Sequence, residues 1–231
     1  MQDAVFDLRI GGDYACFSRP EFKVERVSYL VMTPSAARGV LEAIFWKPEI
    51  RWEVREIWLL KPIRQTALLR NELSDRQGDR PFFVEQRRVQ RASLILKDVE
   101  YMVRTEMALA PHAGEPLAKY VEQAQRRIER GRCHHTPYLG TREFAAWFEP
   151  ASGHETPVAL DLDLGTTLFD IAYREDPNRK ELTFHRHGPQ GTRDVAGYAE
   201  AIFFPARLEG GVLQVPPGLY GELYRLEGRD A

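Results

Sequence analysis

The sequence predicts an α+β fold: a mixed domain over residues 1–150, then a small antiparallel β subdomain over residues 151–231. Three observations predict it. Two stretches, residues 34–46 and 116–130, carry helical periodicity with clear ends. The segments between them are rich in β-branched and aromatic residues or alternate apolar with polar. After Pro150 helical periodicity gives way to short β segments separated by Gly and Pro. The chain has 231 residues, of which 43% are hydrophobic and 29% charged, enough to bury a sizeable core.

Taken in order, "AVFDLRI" is a short strand, "GGDYACFSRPE" a glycine-led loop and "KVERVSYLV" an extended segment. The first helix follows. Thr33 is a good N-cap, and Pro34 sits where its missing N–H costs nothing. Ala37, Val40, Leu41, Ile44 and Phe45 form one apolar stripe, and Pro48 forces a stop. The helix ends on an aromatic pair, Phe45-Trp46, with Lys47 beside the proline. "RWEVREIWLLKPI" begins with strict alternation and slips phase near Glu56, the mark of a bulged strand. Residues 65–91 are polar, Arg-rich and aperiodic, so a long loop is expected.

"LILKDVEYMVRTEMAL" is a strand with Val99, Tyr101, Val103 and Met107 on one face. The second helix has Leu117, Val121, Ala124 and Ile128 as its core stripe and Gly131 as its stop. "EFAAWFEP" is a further strand. The order β, α, β, β, α, β fits a ferredoxin-like (RRM-like) split βαβ unit. "TLFDIAYR", "KELTFHRH", "AIFFP" and "GVLQV" supply the strands of the C-terminal subdomain.

The net charge of −2 hides an asymmetry. Residues 60–97 hold nine Lys/Arg against four acids, whereas residues 136–231 hold nine basic and fifteen acidic residues. A basic middle points to a polyanion site, and the competing reading is a solvated loop. No apolar run is long enough to span a bilayer, and no membrane partner is expected. "MQDAVFDLRI" lacks a basic region followed by an apolar one, so no signal peptide is expected. Cys16 and Cys133 make no disulfide or metal pattern, which predicts a reducing cytoplasm.

No phosphate loop, dinucleotide fingerprint, HExxH or GxSxG motif is present, and no cofactor is expected. "RCHHTP" has no second ligand pair, so no metal centre is expected there. Lys119, Gln123, Arg126 and Arg130 form a mostly cationic stripe on the second helix. With the Arg-rich loop it could clamp a phosphate backbone while Tyr14, Phe17, Tyr120 and Tyr138, expected to be exposed, stack on unpaired bases. An ordinary solvated helix face, supported by a Glu122–Arg126 pair, remains the alternative at this point.

Three blocks then line up. "GDYACFSRPEFKVERVSYLVMTPSAARGVLEAIFWKP", a looser match across residues 69–101 ending in "LKDVEY", and "GRCHHTPYLGTREFAAWF" occur in this order. Together they resemble the subtype I-C Cas-five proteins of CRISPR systems, the d-type, also called c-type. The resemblance implies a metal-independent endoribonuclease that cuts CRISPR precursor RNA within the repeat. It also implies that the protein stays on the 5′ handle of the crRNA as a cap of the interference complex, beside its backbone and large subunits. Duplex DNA is a further partner that the basic loop would permit. The alternative is a non-cleaving handle-binding cap.

In this chemistry a ribose 2′-OH attacks the adjacent phosphorus and leaves a 2′,3′-cyclic phosphate. The protein helps deprotonate the hydroxyl, stabilises the phosphorane and protonates the leaving oxygen. In relatives the work falls to a Tyr in an "IYWKP" helix end and a Lys-His pair starting the second helix. Here the first motif reads "IFWKP", so Phe45 holds the Tyr position, and the pair reads Lys119-Tyr120. The resemblance thus implies Lys119 for charge stabilisation and Tyr120 for proton transfer, with Tyr29, His134 and His135 as further proton-transfer candidates. The implied RNA contacts are Arg19, Lys23, Tyr29, Arg64, Arg70, Arg87, Arg88, Arg91, Arg126, Arg130 and His134.

Overall fold

A computed structural model describes residues 4–22, 24–74, 78, 81–179 and 181–228. Lys23, Arg76 and Arg80 lie outside the described residues. The chain forms a mixed α/β structure built on one largely antiparallel sheet with few helices. The elements are β1 (Val5–Ala15), β2 (Arg26–Val27), α1 (Pro34–Ile44), β3 (Ile50–Leu59), β4 (Gln65–Leu73), β5 (Arg88–Leu109), α2 (Leu117–Glu129), β6 (Trp147–Pro150), β7 (Leu162–Glu175), β8 (Leu182–Gly188), β9 (Gly191–Glu209), β10 (Val212–Gln214) and α3 (Gly218–Leu226). The strand order is β6-β1-β5-β3-β10-β9-β7. β2 and β4 pair with the N-terminal part of β5, and β8 pairs with β9.

α1 starts as its sequence demands: Thr33 Oγ1 accepts the Ala36 N–H at 3.2 Å. It ends at Ile44, two residues earlier than periodicity predicts, because Phe45 is already extended (φ −148°, ψ 119°). The last turn is tied off from outside. His134 and His135 both donate their backbone N–H to the Ala43 carbonyl, at 2.8 and 3.1 Å. Arg127 Nη1 reaches the Ile44 carbonyl at 3.1 Å, and Trp52 Nε1 the Phe45 carbonyl at 2.8 Å.

The expected bulge in β3 is present, as a register shift between Val54 and Glu56 against β5. Val99, Tyr101, Val103 and Met107 of β5 are all buried. They meet the α1 stripe and Val121, Ala124 and Ile128 of α2 in one core. The opposite face of the sheet is a lattice of ion pairs. Arg104 binds Asp7 at 2.9 Å, Arg55 bridges Glu53 and Glu106 at 2.6 Å each, and Arg9 holds Glu100 and Glu149. Glu53 and Glu106 lie directly opposite each other on β3 and β5, so Arg55 offsets a like-charge pair that would otherwise oppose the pairing.

Two expectations are corrected. The loop expected over residues 65–91 is in large part a hairpin arm, β4 and the start of β5, paired from Gln65–Leu96 to Leu73–Arg88. Most of its residues are exposed on both faces, so no alternation arises for sequence to report. Residues 218–226, expected to carry no helix, form α3, which buries Tyr220 and Leu223.

β10 joins the two halves of the chain. Its three residues pair with β3 on one side and β9 on the other, and the sheet runs on without a break. A second tie is ionic. Arg38 on α1 grips Asp170 on β7 with two hydrogen bonds of 2.7 Å, and donates a third to Glu42 at 2.6 Å. The Asp170 side chain is 2% exposed.

Candidate functional site

α2 passes alongside the segment that leaves α1. The Arg127 guanidinium sits 5.6 Å from the centre of the Phe45 ring. At the other end of α2, Tyr120 lies close enough to Glu49 for that carboxylate to act on its phenol. The backbone carbonyl of Glu49 accepts the Ala110 N–H at 2.8 Å, which pins the β5–α2 connection to the α1–β3 connection. The structure thus gathers residues 45–49, 110–112 and the start of α2 at one edge of the molecule.

Lys119 is exposed there and pairs with Glu115 at 2.8 Å, one helical turn back. That hydrogen bond raises the ammonium pKa above its ordinary value, so the group stays cationic. The pair is solvated on both sides and yields readily to a phosphate. Tyr120, expected to be exposed, is buried. Burial, then Glu49 and Glu115, raise its pKa above 10, against a smaller lowering by Lys119. A phenol in that state donates a proton and does not serve as a base near neutral pH.

Phe45 is enclosed at 2% exposure, and the exposed groups beside it are Trp46 and Lys47. Its ring therefore closes the core stripe and does not lie on the surface. Phe45→Tyr is expected to lower stability by about 1–3 kcal/mol, the cost of a buried hydroxyl without a partner, and to leave cleavage no faster. Paired melting and single-turnover measurements check this. An unchanged melting temperature with faster cleavage would refute the enclosure argument.

Other residues fall in different surroundings from those expected. Phe17 and Tyr29 are buried, at 3% and 2%, so neither ring is offered to a base. Tyr29 instead supports Arg19, whose guanidinium stacks 4.8 Å above its ring. Tyr14 and Tyr138 are exposed, as expected. His134 is exposed, its ring tilted against that of His135 with centres 4.2 Å apart. Arg126 and Arg130 are exposed on the same side of α2 as Lys119.

The hairpin arginines are more heavily compensated than their count suggests. Arg70 and Arg91 face each other directly across β4 and β5. Glu72 holds Arg91 at 3.3 Å and Arg70 at 3.4 Å, and Glu143 pairs with Arg70 and, at 3.5 Å, with Arg26. Arg64 binds Asp98 at 3.2 Å. Arg87 and Arg88 are exposed near the hairpin tip. The hairpin pairs with the beginning of β5 and α2 starts beyond its end, so the two cationic groups stand at opposite ends of one 22-residue strand.

Sequence reasoning missed a cavity of about 550 Å³ on the other side of residues 46–48. It is walled by α1, the start of β3, residues 110–112, α3 and the β8 end. Its walls come from segments distant in the chain, and only the exposed Trp46 on the rim gave a local hint. Among the described residues no helix is long and apolar enough to cross a membrane.

An exposed lysine, a proton-holding phenol and a cationic helix face thus stand together beyond one end of β5, and the hairpin arm stands at the other. The family model described as CRISPR-associated protein (Cas_Cas5) matches residues 6–216. The chain belongs to the Cas5d family. It is 60% identical over 220 residues to the CRISPR pre-crRNA endoribonuclease Cas5d of Thermus thermophilus, covering 95% of each chain. It is 38% identical over 242 residues to the protein of the same name from Mannheimia succiniciproducens, covering 94% of this chain and 97% of that one. A solved structure titled as a CRISPR-associated protein superposes with a TM-score of 0.63 at 22% identity, over 93% of this chain and 92% of that one.

Proposed function

We propose that this chain is a pre-crRNA endoribonuclease that cuts within the CRISPR repeat without a metal ion and stays on the 5′ handle as a subunit of the type I-C interference complex. The observation that carries the reading is the 60% identity, over nearly the whole of both chains, to a relative bearing that name. Residues 1–150 form the processing unit, read as ferredoxin-like because β6, β1, β5 and β3 lie side by side with α1 and α2 in the βαββαβ order. Residues 151–231 form the second unit, which offers surface to the other subunits.

In this reading the scissile phosphate sits over the start of α2. Lys119 exchanges Glu115 for the phosphorane oxygens, where its charge counts most in the transition state. Tyr120 keeps its proton and hands it to the leaving 5′-oxygen, while the proton of the attacking 2′-OH passes to water and water returns one to the phenolate. Arg126 and Arg130 hold the neighbouring phosphates. A second reading, a non-cleaving cap, is favoured by Phe45, which puts no hydroxyl at the position of the family Tyr. Incubating the protein with repeat RNA in EDTA separates the two. Cleavage giving a 2′,3′-cyclic phosphate supports the first reading, and intact bound RNA supports the second.

Binding should weaken with salt. Lys119, Arg126 and Arg130 together neutralise three phosphates, so log affinity against log salt should slope by about −2 or more steeply. A flat response between low and physiological ionic strength would remove the phosphate-clamp reading of α2.

A further inference from the structure

The cavity beyond residues 46–48 takes no part in the chemistry above. Its volume of about 550 Å³ lies within the roughly 300–1,000 Å³ of small-ligand sites. Its surface is aromatic and imidazole-rich: Trp46, His112, Tyr173, His187 and Tyr224 contribute to the lining. Trp46 is 44% exposed and meets His187 edge-on at 5.4 Å. Tyr224 is capped by the Arg51 guanidinium 4.0 Å above its ring and donates its hydroxyl to Glu53 at 2.9 Å.

The charges of the cavity are engaged with one another. Arg38 is matched by Asp170 and Glu42, and Arg186 donates to the carbonyl oxygens of Glu227 and Tyr173. A phosphate would have to break these pairs. A flat, neutral heterocycle with a polar edge would leave them in place and gain stacking on the open indole.

Position supports the same occupant. The wall formed by Trp46 and Pro48 is continuous with Lys47, and the wall at His112 is continuous with the connection leading into Lys119. The Ala110–Glu49 hydrogen bond locks these two walls together. Lys47 and Lys119 are thus carried by the two chain segments that wall the cavity.

We propose that this cavity receives one unpaired nucleobase of the bound RNA, stacked on Trp46 and enclosed by His112, Tyr173 and His187. The proposal rests on the reading of the chain as a repeat-RNA-binding protein. It makes the cavity a specificity site, because one unpaired base of the repeat is read by shape before cleavage.

The test uses repeat RNAs carrying one abasic nucleotide at each unpaired position near the cut, measured on the wild type and on Trp46→Leu. One position is expected to weaken wild-type binding roughly tenfold, the size of one base–aromatic stack, and to have no further effect in Trp46→Leu. Lys119→Ala should lose cleavage but keep that position dependence. Equal losses at every position in both proteins would overturn the proposal while leaving RNA processing intact. A protein that binds no repeat RNA would refute the proposed function, and the cavity would then be decided by titration. The four nucleoside 5′-monophosphates are added while tryptophan fluorescence is followed. Saturable quenching by at least one, absent in Trp46→Leu, supports the base site, and no quenching by any of them overturns it.

Discussion

Lys119→Ala is expected to slow single-turnover cleavage of repeat RNA on the order of 10²-fold, with affinity for the same RNA within about threefold of wild type. The argument is differential binding. In the ground state Lys119 already has a partner in Glu115, at 2.8 Å, and the exchange of one solvated anion for another is nearly neutral. When the phosphorane forms, added negative charge concentrates on its oxygens, and a positioned ammonium then gains much more than Glu115 offered. Glu115→Gln is the matching control. It removes the ground-state competitor and should leave cleavage equal or faster. If Lys119→Ala lowers binding and cleavage in parallel, Lys119 is a backbone clamp and the reacting phosphate lies elsewhere.

Arg38→Ala is expected to destabilise the fold by about 3–5 kcal/mol, a large share of the stability of any domain. Truncation leaves the Asp170 carboxylate, 2% exposed, with the Ile171 N–H at 2.8 Å but without its two guanidinium bonds. Glu42 loses a partner too, but it is more exposed and regains water. For a chain of this length the drop corresponds to a fall in melting temperature on the order of 10 °C. Arg38→Met combined with Asp170→Leu should recover much of the loss, because it removes the stranded charge as well as its partner. Melting curves of the single and double variants decide. A single variant within 2 °C of wild type would mean that the Asp170 carboxylate reaches solvent once the guanidinium is gone.

Much of the fold was legible because local chemistry dictated it. Thr33-Pro34 set the start of α1, alternation set β3, its phase slip set the bulge, and Gly131 ended α2 at φ +59°. What was not legible depended on partners far away in sequence. β4 buries neither face, so its nine residues carry no period and read as loop. α3 follows two prolines and contains Gly218 and Gly221, both poor helix formers, and is held by Tyr220 and Leu223 against the core.

The candidate site divides the same way. The position of Lys119 on an exposed turn could be read from spacing. The burial of Phe17, Tyr29 and Tyr120 could not, since an aromatic in a polar stretch carries no mark of the surface that will cover it. Nor could the neutralisation of Arg70 and Arg91, because Glu143 lies 73 residues from Arg70 and Glu72 reaches Arg91 only across the β4–β5 pairing.

β10 has a consequence in time. A strand of three residues held on both sides has no frayed edge through which water can reach its amides one by one. The amide protons of Val212, Leu213 and Gln214 that close these ladders exchange for deuterium when the sheet opens at that seam. Their exchange rate is then a clock for separation of the two halves of the chain. Rates matching the slowest amides of β1 and β5 mean that the halves open only with global unfolding. Faster rates, with β1 still protected, mean that the C-terminal half detaches first, and RNA bound to α2 should leave them unchanged.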